Sequence, residues 1–240
     1  LSDRKHAPHS DGRPCINPCV LSQPNFGDMM KTYKELICEL DHILKVDENF
    51  DIIKRELLVQ GKQLSFYCVD GFVKDEVLEK MMEFILKADL SSMEQEGSFS
   101  SLSSQLVSYV EADIQSDVNQ MVTAILSGTI LLVIEGYGKG ILIDARTYPT
   151  RGMEEPEDDR VLRGSRDGFV ETLVFNTALI RRRIRDPHLH MEYTSVGDVS
   201  RTDLILCYME DKVDQDMLKR IRDIISEIHV DALTMAQESL

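Results

Sequence analysis

Apolar side chains return every three or four positions between Phe26 and Val46, at Met29, Met30, Tyr33, Leu36, Ile37, Leu40, Ile43 and Leu44, the spacing of one buried helix face. Asp28 stands near the expected start of that helix. A second rhythm from Phe50 to Val59 meets Gln60-Gly61-Lys62, and a continuous apolar run follows from Leu64 to Val69, which together predict a β-hairpin. Asp70-Gly71 closes the second strand. Val73, Val77, Leu78, Met81, Met82, Ile85 and Leu86 then predict a helix, with Asp75 and Glu76 in the first turn where the helix dipole favours acids. Ser91 to Ser104 carries seven serines and no apolar period, the composition of a flexible loop. Beyond it Ile114, Val118, Met121, Val122, Ile125 and Leu126 predict another helix, stopped at Ser127-Gly128. Thr129 to Ile134 and Gly140 to Ala145 read as two strands around Glu135-Gly136-Tyr137-Gly138-Lys139. The glycines and Lys139 share their composition with a phosphate cradle but match no P-loop spacing, and a hairpin turn needing positive φ angles accounts for them.

The run from Tyr148 to Pro187 joins a charged, proline-bounded loop to a helix. Ser165 is the expected N-cap, with Asp167 in the first turn, and Phe169, Leu173, Thr177, Ile180 and Ile184 descend one face, widened by Val170 and Val174. Arg181, Arg182, Arg183 and Arg185 crowd its last turn, and Asp186-Pro187 ends it. Such a helix would serve as a packing spine between two lobes. Leu189 to Val196 and Arg201 to Met209 predict a second hairpin around Gly197-Asp198, backed by a helix carrying Val213, Met217, Leu218, Ile221, Ile224, Ile225 and Ile228.

A shift of 140 positions lays Leu64, Phe66, Val69, Asp70, Val73, Val77, Leu78, Met81, Phe84 and Ile85 on Leu204, Leu206, Met209, Glu210, Val213, Met217, Leu218, Ile221, Ile224 and Ile225. Both a duplication and a common local module account for this agreement. The expected fold class is α/β, with two α/β subdomains, each a small mixed sheet with flanking helices and a related hairpin-helix unit. The expected divisions are a disordered tail over 1–25, a first subdomain over 26–147, the charged loop and connecting helix over 148–187, and a second subdomain over 188–240. In the last, His229 to Leu240 begins a further strand and helix and is truncated.

Composition narrows the function classes. With 27 Lys+Arg against 42 Asp+Glu the net charge is −15, which repels polyanions and argues against a nucleic-acid partner. No stretch approaches the ~20 apolar residues of a membrane span, and the N-terminus lacks an apolar signal core. The five cysteines, an odd number, are scattered and point to a reducing compartment. Cys15 and Cys19, with His6 and His9 upstream, have a spacing that zinc accepts, but no second ligand pair matches them as a structural zinc site requires, and a plain tail accounts for them better.

The loop between Tyr148 and Gly164 alternates Arg151, the acids Glu154, Glu155, Glu157, Asp158 and Asp159, then Arg160 and Arg163. Exposed ion pairs within it would be worth only ~0–1 kcal/mol each. Three successive arginines point about 100° apart on a helix, so at least one must meet a partner. The acidic run Glu154 to Asp159 is the nearest in sequence, and an anion or phosphate site is the alternative. Nucleophile elbows, H-E-x-x-H and C-x-x-C are absent. His188 and His190 share one face of an expected strand but lack a third ligand. No catalytic residue, cofactor or metal site is therefore expected.

The residues of this central stretch carry a resemblance. Tyr148-Pro149-x-Arg151, Glu154-Glu-Pro-Glu157, Arg163-Gly-Ser-Arg-Asp-Gly-Phe169, Glu171, Asn176 and Ala178-Leu-Ile-Arg-Arg-Arg-Ile-Arg185 resemble the signature of the A-subunit family of bacterial spore germinant receptors. The likeness continues through Gly197, Arg201-Thr202 and Tyr208 and back to Asp70-Gly71, so it covers roughly Phe50 to Ile228. Asn49 to Glu56 and Val69 to Asp75 are more similar to the stage V sporulation protein AF branch than to a nutrient-receptor A subunit. Cys15 and Cys19 match nothing in that pattern.

The resemblance implies the soluble N-terminal domain of a longer protein whose absent C-terminal half crosses the spore inner membrane, with this domain on the cytoplasmic (core) side. It implies two α/β subdomains, partners among the other membrane subunits of a germination complex, and a homo-oligomer formed through the full-length protein. The expected role is non-enzymatic, in assembly and signal transmission leading to ion release. The alternative is a ligand-binding module holding a small nutrient germinant or anion between the lobes. The residues placed at an interface or between lobes are Arg151, Glu154, Glu155, Arg163, Arg166, Asn176, Arg181, Arg182, Arg183 and Arg185.

Overall fold

Helix α1 (Tyr33–Leu44) begins at a capping box. The Thr32 hydroxyl accepts from the Glu35 N–H, and the Glu35 carboxylate accepts from the Thr32 N–H at 2.8 Å. Thr32 is extended (φ −68°, ψ 158°), so the helix starts there and not near Asp28, a correction to the apolar rhythm. The structure, a computed structural model, describes residues 32–73, 75–87, 111–147 and 168–231. The N-terminal tail, the serine-rich run Ser91 to Ser104 and the charged loop Tyr148 to Gly164 lie outside the described residues.

Strands β1 (Ile52–Val59) and β2 (Lys62–Val69) pair antiparallel from Ile52↔Val69 to Val59↔Lys62. Gln60 (φ 52°) and Gly61 (φ 81°) make the turn, the two left-handed residues that a tight hairpin requires. Helix α2 (Asp75–Lys87) follows, then β3 (Glu111–Gln115), helix α3 (Val118–Leu126), β4 (Ile130–Ile134) and β5 (Gly140–Asp144). Ile114 belongs to β3 and not to the helix, which starts after Asp117, whose carboxylate accepts the Asn119 N–H at 2.9 Å. In the turn between β4 and β5 only Gly136 needs a positive φ, at 95°. Gly140 is there for clearance, since a Cβ would overlap the Leu131 side chain.

The sheet runs β1-β2-β4-β5-β3 and every neighbouring pair is antiparallel, so the expectation of mixed sheets is corrected. The reason lies in the connections: β1-β2 and β4-β5 are hairpins, and β2 meets β4 antiparallel, leaving no place for a parallel neighbour. Alternate residues feed two cores. Leu64, Phe66 and Cys68 join Ile130, Leu132 and Ile134 against Met81 and Ile85 of α2. Tyr67, Val69, Leu131 and Val133 face the other way, onto Leu36, Leu40 and Leu44 of α1 and Met121, Val122 and Ile125 of α3. A sheet buried on both faces explains why β4 is apolar throughout.

Helix α4 (Leu173–Arg183) is shorter than the period predicts. Thr172 is its extended N-cap and makes no side-chain cap bond, while Phe169 and Val170 lie outside the helix, so a start at Ser165 is corrected. Strands β6 (Leu189–Val196) and β7 (Thr202–Met209) form a separate two-stranded antiparallel hairpin, followed by helix α5 (Gln215–Ser226) with Asp214 as N-cap. Strand β7 starts 140 positions after β2, and α5 starts 140 positions after α2. Residues 228–231 form no strand; the Val230 and Asp231 carbonyls accept from Asp198, Val199 and Ser200 in the β6–β7 turn.

Candidate functional site

Arg181 is fully buried, and so is its partner Asp51. The Arg181 Nε donates to Asp51 Oδ2 at 2.6 Å and Nη2 to Oδ1 at 3.0 Å, the planar bidentate match that arginine offers a carboxylate. The same guanidinium donates to the Asp186 carbonyl at 3.0 Å through Nη1 and to the Leu189 carbonyl at 3.1 Å through Nη2. One side chain thus binds the entrance of β1, the end of the α4–β6 connection and the first residue of β6. The Asp51 carbonyl in turn accepts from the Asp70 N–H at 2.8 Å, which draws the β2 exit into the cluster.

Helix geometry selects Arg181 among its neighbours. It follows Thr177 and Ala178 by four and three residues, and these are the other buried positions of α4. Ala178 sits so close to the Asp70-Gly71 turn that a Cβ on Gly71 (φ +82°) would lie 3.1 Å from its Cβ. Arg182 is half-buried and Arg183 and Arg185 are exposed; neither Arg182 nor Arg183 is without a partner. Asn176 does a different job, holding Val170 in place through its side chain (2.8 Å from the Val170 N–H, 2.7 Å to its carbonyl). Arg151, Glu154, Glu155, Arg163 and Arg166 lie outside the described residues. The partner of Arg181 is therefore an aspartate 130 positions away, and not the adjacent acidic run.

Asn49 and Phe50 extend the junction. The Asn49 amide donates to the Leu44 carbonyl at 2.9 Å and accepts the Met191 N–H at 3.0 Å, while the Phe50 N–H donates to the Met191 carbonyl at 2.9 Å. Phe50 also stacks on Tyr193 with ring centroids 5.2 Å apart. Beside them Lys45 pairs with Glu210, which depresses the Glu210 carboxyl below its ordinary value, mainly through the hydrogen bond. His190 is buried, stacks on Tyr208 at 5.4 Å, and lies 3.5 Å from Glu210 Oε2 and 3.9 Å from Glu48 Oε2. His188 does not share its strand: it sits in the turn before β6 and meets Asp186 at 2.8 Å, with its backbone N–H as the main cause of a lowered Asp186 carboxyl.

Asp51, Asn49, Lys45 and Glu210 are not among the interface or interlobe residues that the sequence points to. Asp51 did leave a signal, a lone acid between Phe50 and Ile52 at the head of an apolar strand. Among the described residues no group of three His, Cys, Asp or Glu side chains is placed to hold a metal. Burial pushes the Cys68 thiol up to about 12, which leaves it a packing residue and not a nucleophile. A cavity of about 310 Å³ lies elsewhere, between β6 and α5, lined in part by Glu192, Asp198, Leu206, Arg222 and Ile225. No helix among the described residues is long and apolar enough to cross a membrane.

The family model described as Bacillus/Clostridium GerA spore germination protein matches residues 39–240. Stage V sporulation protein AF of Bacillus subtilis (strain 168) is 34% identical over 192 residues, covering 80% of this chain and 39% of that protein. Spore germination protein XA of Bacillus anthracis is 31% identical over 121 residues, 50% of this chain and 25% of that protein. Among solved structures, the N-terminal domain of the A subunit of the Bacillus megaterium spore germinant receptor GerK3 superposes with a TM-score of 0.66 at 17% identity, covering 87% of this chain and 76% of that one. The fold is thus shared with that domain, and the chain spans no more than about two fifths of the length of the curated relatives it matches.

Proposed function

The chain belongs to the GerA family of Bacillus/Clostridium spore germination proteins, and from that premise we propose that it acts without catalysis, in assembly of a spore inner-membrane germination complex and in passing state changes through it toward ion release. In this reading the domain lies on the cytoplasmic (core) side, the C-terminal half of the full-length protein crosses the membrane, and the partners are other membrane subunits and further copies of the same chain. Residues 26–147 and 188–240 act as two subdomains, with 148–187 as the joint between them.

The observation that carries the proposal is the Asp51–Arg181 pair. A carboxylate and a guanidinium taken out of water hold each other only in good geometry, so the pair fixes how β6 and α4 sit on the first sheet. Rigid coupling of this kind suits transmission better than capture. The donors that an anion would need at Arg181 are engaged by Asp51, Asp186 and Leu189. The outward side of the same helix, carrying half-buried Arg182 and exposed Arg183, is the side offered to neighbouring subunits. Charge reversal at either residue in the full-length protein impairs complex formation or germination, scored by co-purification of subunits and by loss of spore refractility; normal results on both measures in both variants overturn the proposal. Saturable heat on titration with amino acids, sugars or nucleosides would replace it with the ligand-binding alternative.

A further inference from the structure

His190 stands in β6 one residue before Met191, whose N–H and carbonyl are bound by Asn49 and Phe50, and it lies opposite Tyr208 in the hairpin register. Its side chain is 3% exposed and its Nε2 makes no hydrogen bond, a state that is costly for a buried polar atom. Each ring nitrogen instead looks toward a carboxylate. Nε2 lies 3.5 Å from Glu210 Oε2, and Nδ1 lies 3.9 Å from Glu48 Oε2. The two acids come from opposite sides of the junction, Glu48 from the turn between α1 and β1 and Glu210 from the residue that follows β7. The other charged or titratable groups at this contact are Lys45, which pairs with Glu210; Tyr208, which stacks on the imidazole and also meets Arg222; and His188 with Asp186 in the turn before β6.

A neutral imidazole has one N–H and one bare lone pair. With a carboxylate opposite each nitrogen, either tautomer turns its lone pair toward an anion, so neither neutral form satisfies the site. The imidazolium does, because it carries an N–H on both nitrogens, one for Glu48 and one for Glu210, and such charge-assisted bonds are the strong kind. Lys45 adds a second observation. It caps α1 in the left-handed region (φ 47°), where glycine or asparagine is the usual residue, and its N–H donates to the Asp41 carbonyl. A lysine is strained there, and its ammonium reaches across the junction to Glu210. That hydrogen bond holds the Glu210 carboxyl below its ordinary range, so the acid stays charged while a histidine gains or loses its proton near neutral pH. We infer that His190 is a proton-operated latch: charged, it grips Glu48 and Glu210 and holds the β6–β7 hairpin against the α1–β1 turn; neutral, it releases them and leaves that side of the junction to Lys45. The inference rests on reading the junction as a transmitter, and it adds the signal to which the junction responds, a change in proton concentration.

The Phe50 and Met191 amides bond across the junction beside the ring, so their exchange in the 240-residue chain reads the latch. After correction for the intrinsic effect of pH on exchange, both are protected at least about 10-fold more strongly at about pH 5.5 than at about pH 8. The sign follows from the proton: the grip is present where the ring is charged and is lost as pH rises through the range in which histidine discharges. Equal protection at the two pH values overturns the inference. His190→Gln, which has no proton to gain in this range, abolishes the difference, and a difference that survives in that variant also overturns it. His188→Gln leaves the difference in place; its loss there would move the response off His190. Should the buried variant fail to fold, Glu48→Gln serves instead, since that side chain is 65% exposed, and it cuts the difference to about 3-fold or less; an undiminished difference counts against the latch. Nitrogen-15 NMR gives a direct check, with both ring nitrogens of His190 carrying protons at about pH 5.5, and a ring still neutral there overturns the inference whatever the amides show. None of these readouts needs a partner subunit, so they stand or fall apart from the Arg182 and Arg183 variants that test the assembly reading.

Discussion

Arg181 and Arg222 each grip a carboxylate with two nitrogens, and they differ in water. Arg181 and Asp51 are 1% and 0% exposed at the side chain, while Arg222 and Glu192, in contact at 2.7 Å and 3.0 Å, are 44% and 38% exposed. The chemistry is the same and the setting is opposite. At the surface, solvent competes for both charges and the pair contributes ~0–1 kcal/mol. At the junction, neither ion can return to water without separating α4 and β6 from the first sheet, so the pair specifies an arrangement more than it adds stability.

The largest effect comes from breaking the buried pair on one side. Arg181→Ala leaves Asp51 charged and dry, and Asp51→Asn leaves the guanidinium uncompensated, so either variant loses roughly 3–5 kcal/mol in urea unfolding. Replacing both residues together, Asp51→Leu with Arg181→Met, recovers much of that loss, because no stranded charge remains. A double variant as unstable as the worse single one would show that the pair supplies stability in its own right. Gly71→Ala comes next. It places a Cβ at φ +82° and 3.1 Å from Ala178, so α4 must retreat from the β2 exit at a cost of about 1–3 kcal/mol, measurable as a lower urea midpoint at unchanged slope.

How much of this was readable beforehand depends on the distance over which each feature is decided. The hairpins at Gln60-Gly61 and Gly197-Asp198, helices α2, α3 and α5 and the 140-position offset follow from local period and turn chemistry, and they are where the sequence places them apart from the first residues of some helices. Strand β3 is not legible in the sequence, because Glu111-Ala-Asp-Ile-Gln115 is a mostly exposed edge strand whose polar composition carries no strand signal. The start of α4 was misplaced because Ser165 and Asp167 imitate a cap and the apolar period runs on through Phe169 and Val170, which only the tertiary structure excludes from the helix. Within the arginine cluster, spacing implied that one residue must find a partner. It could not name Asp51, since a bond across 130 positions is set by how the junction closes and by nothing nearby in the chain.

Smaller effects belong to the exposed pairs. Arg222→Ala changes stability by no more than about 1 kcal/mol, and the difference shrinks as salt is raised from low to high ionic strength; a loss as large as that of Arg181→Ala would erase the contrast between the two arginines. The Lys45–Glu210 pair is the finest test, because it is partly exposed and lies beside the buried junction. Its carboxyl is depressed in the folded state, first by the Lys45 hydrogen bond, so the unfolded chain takes up the proton before the folded one does. The contribution is therefore fully present above the unfolded value of about 4.3, declines as pH falls below it, and is gone once pH drops through the lower folded value. Solvent screening at a side chain 38% exposed keeps it small. Glu210→Gln removes that part of the acid limb and leaves stability independent of this group between pH 5 and pH 3, which urea unfolding across that window reads as a shallower slope than in the unaltered chain. An unchanged slope would place the acid sensitivity away from the junction, at carboxyls such as Asp186, Asp144 and Glu83, which are lowered by His188, Arg146 and Lys87.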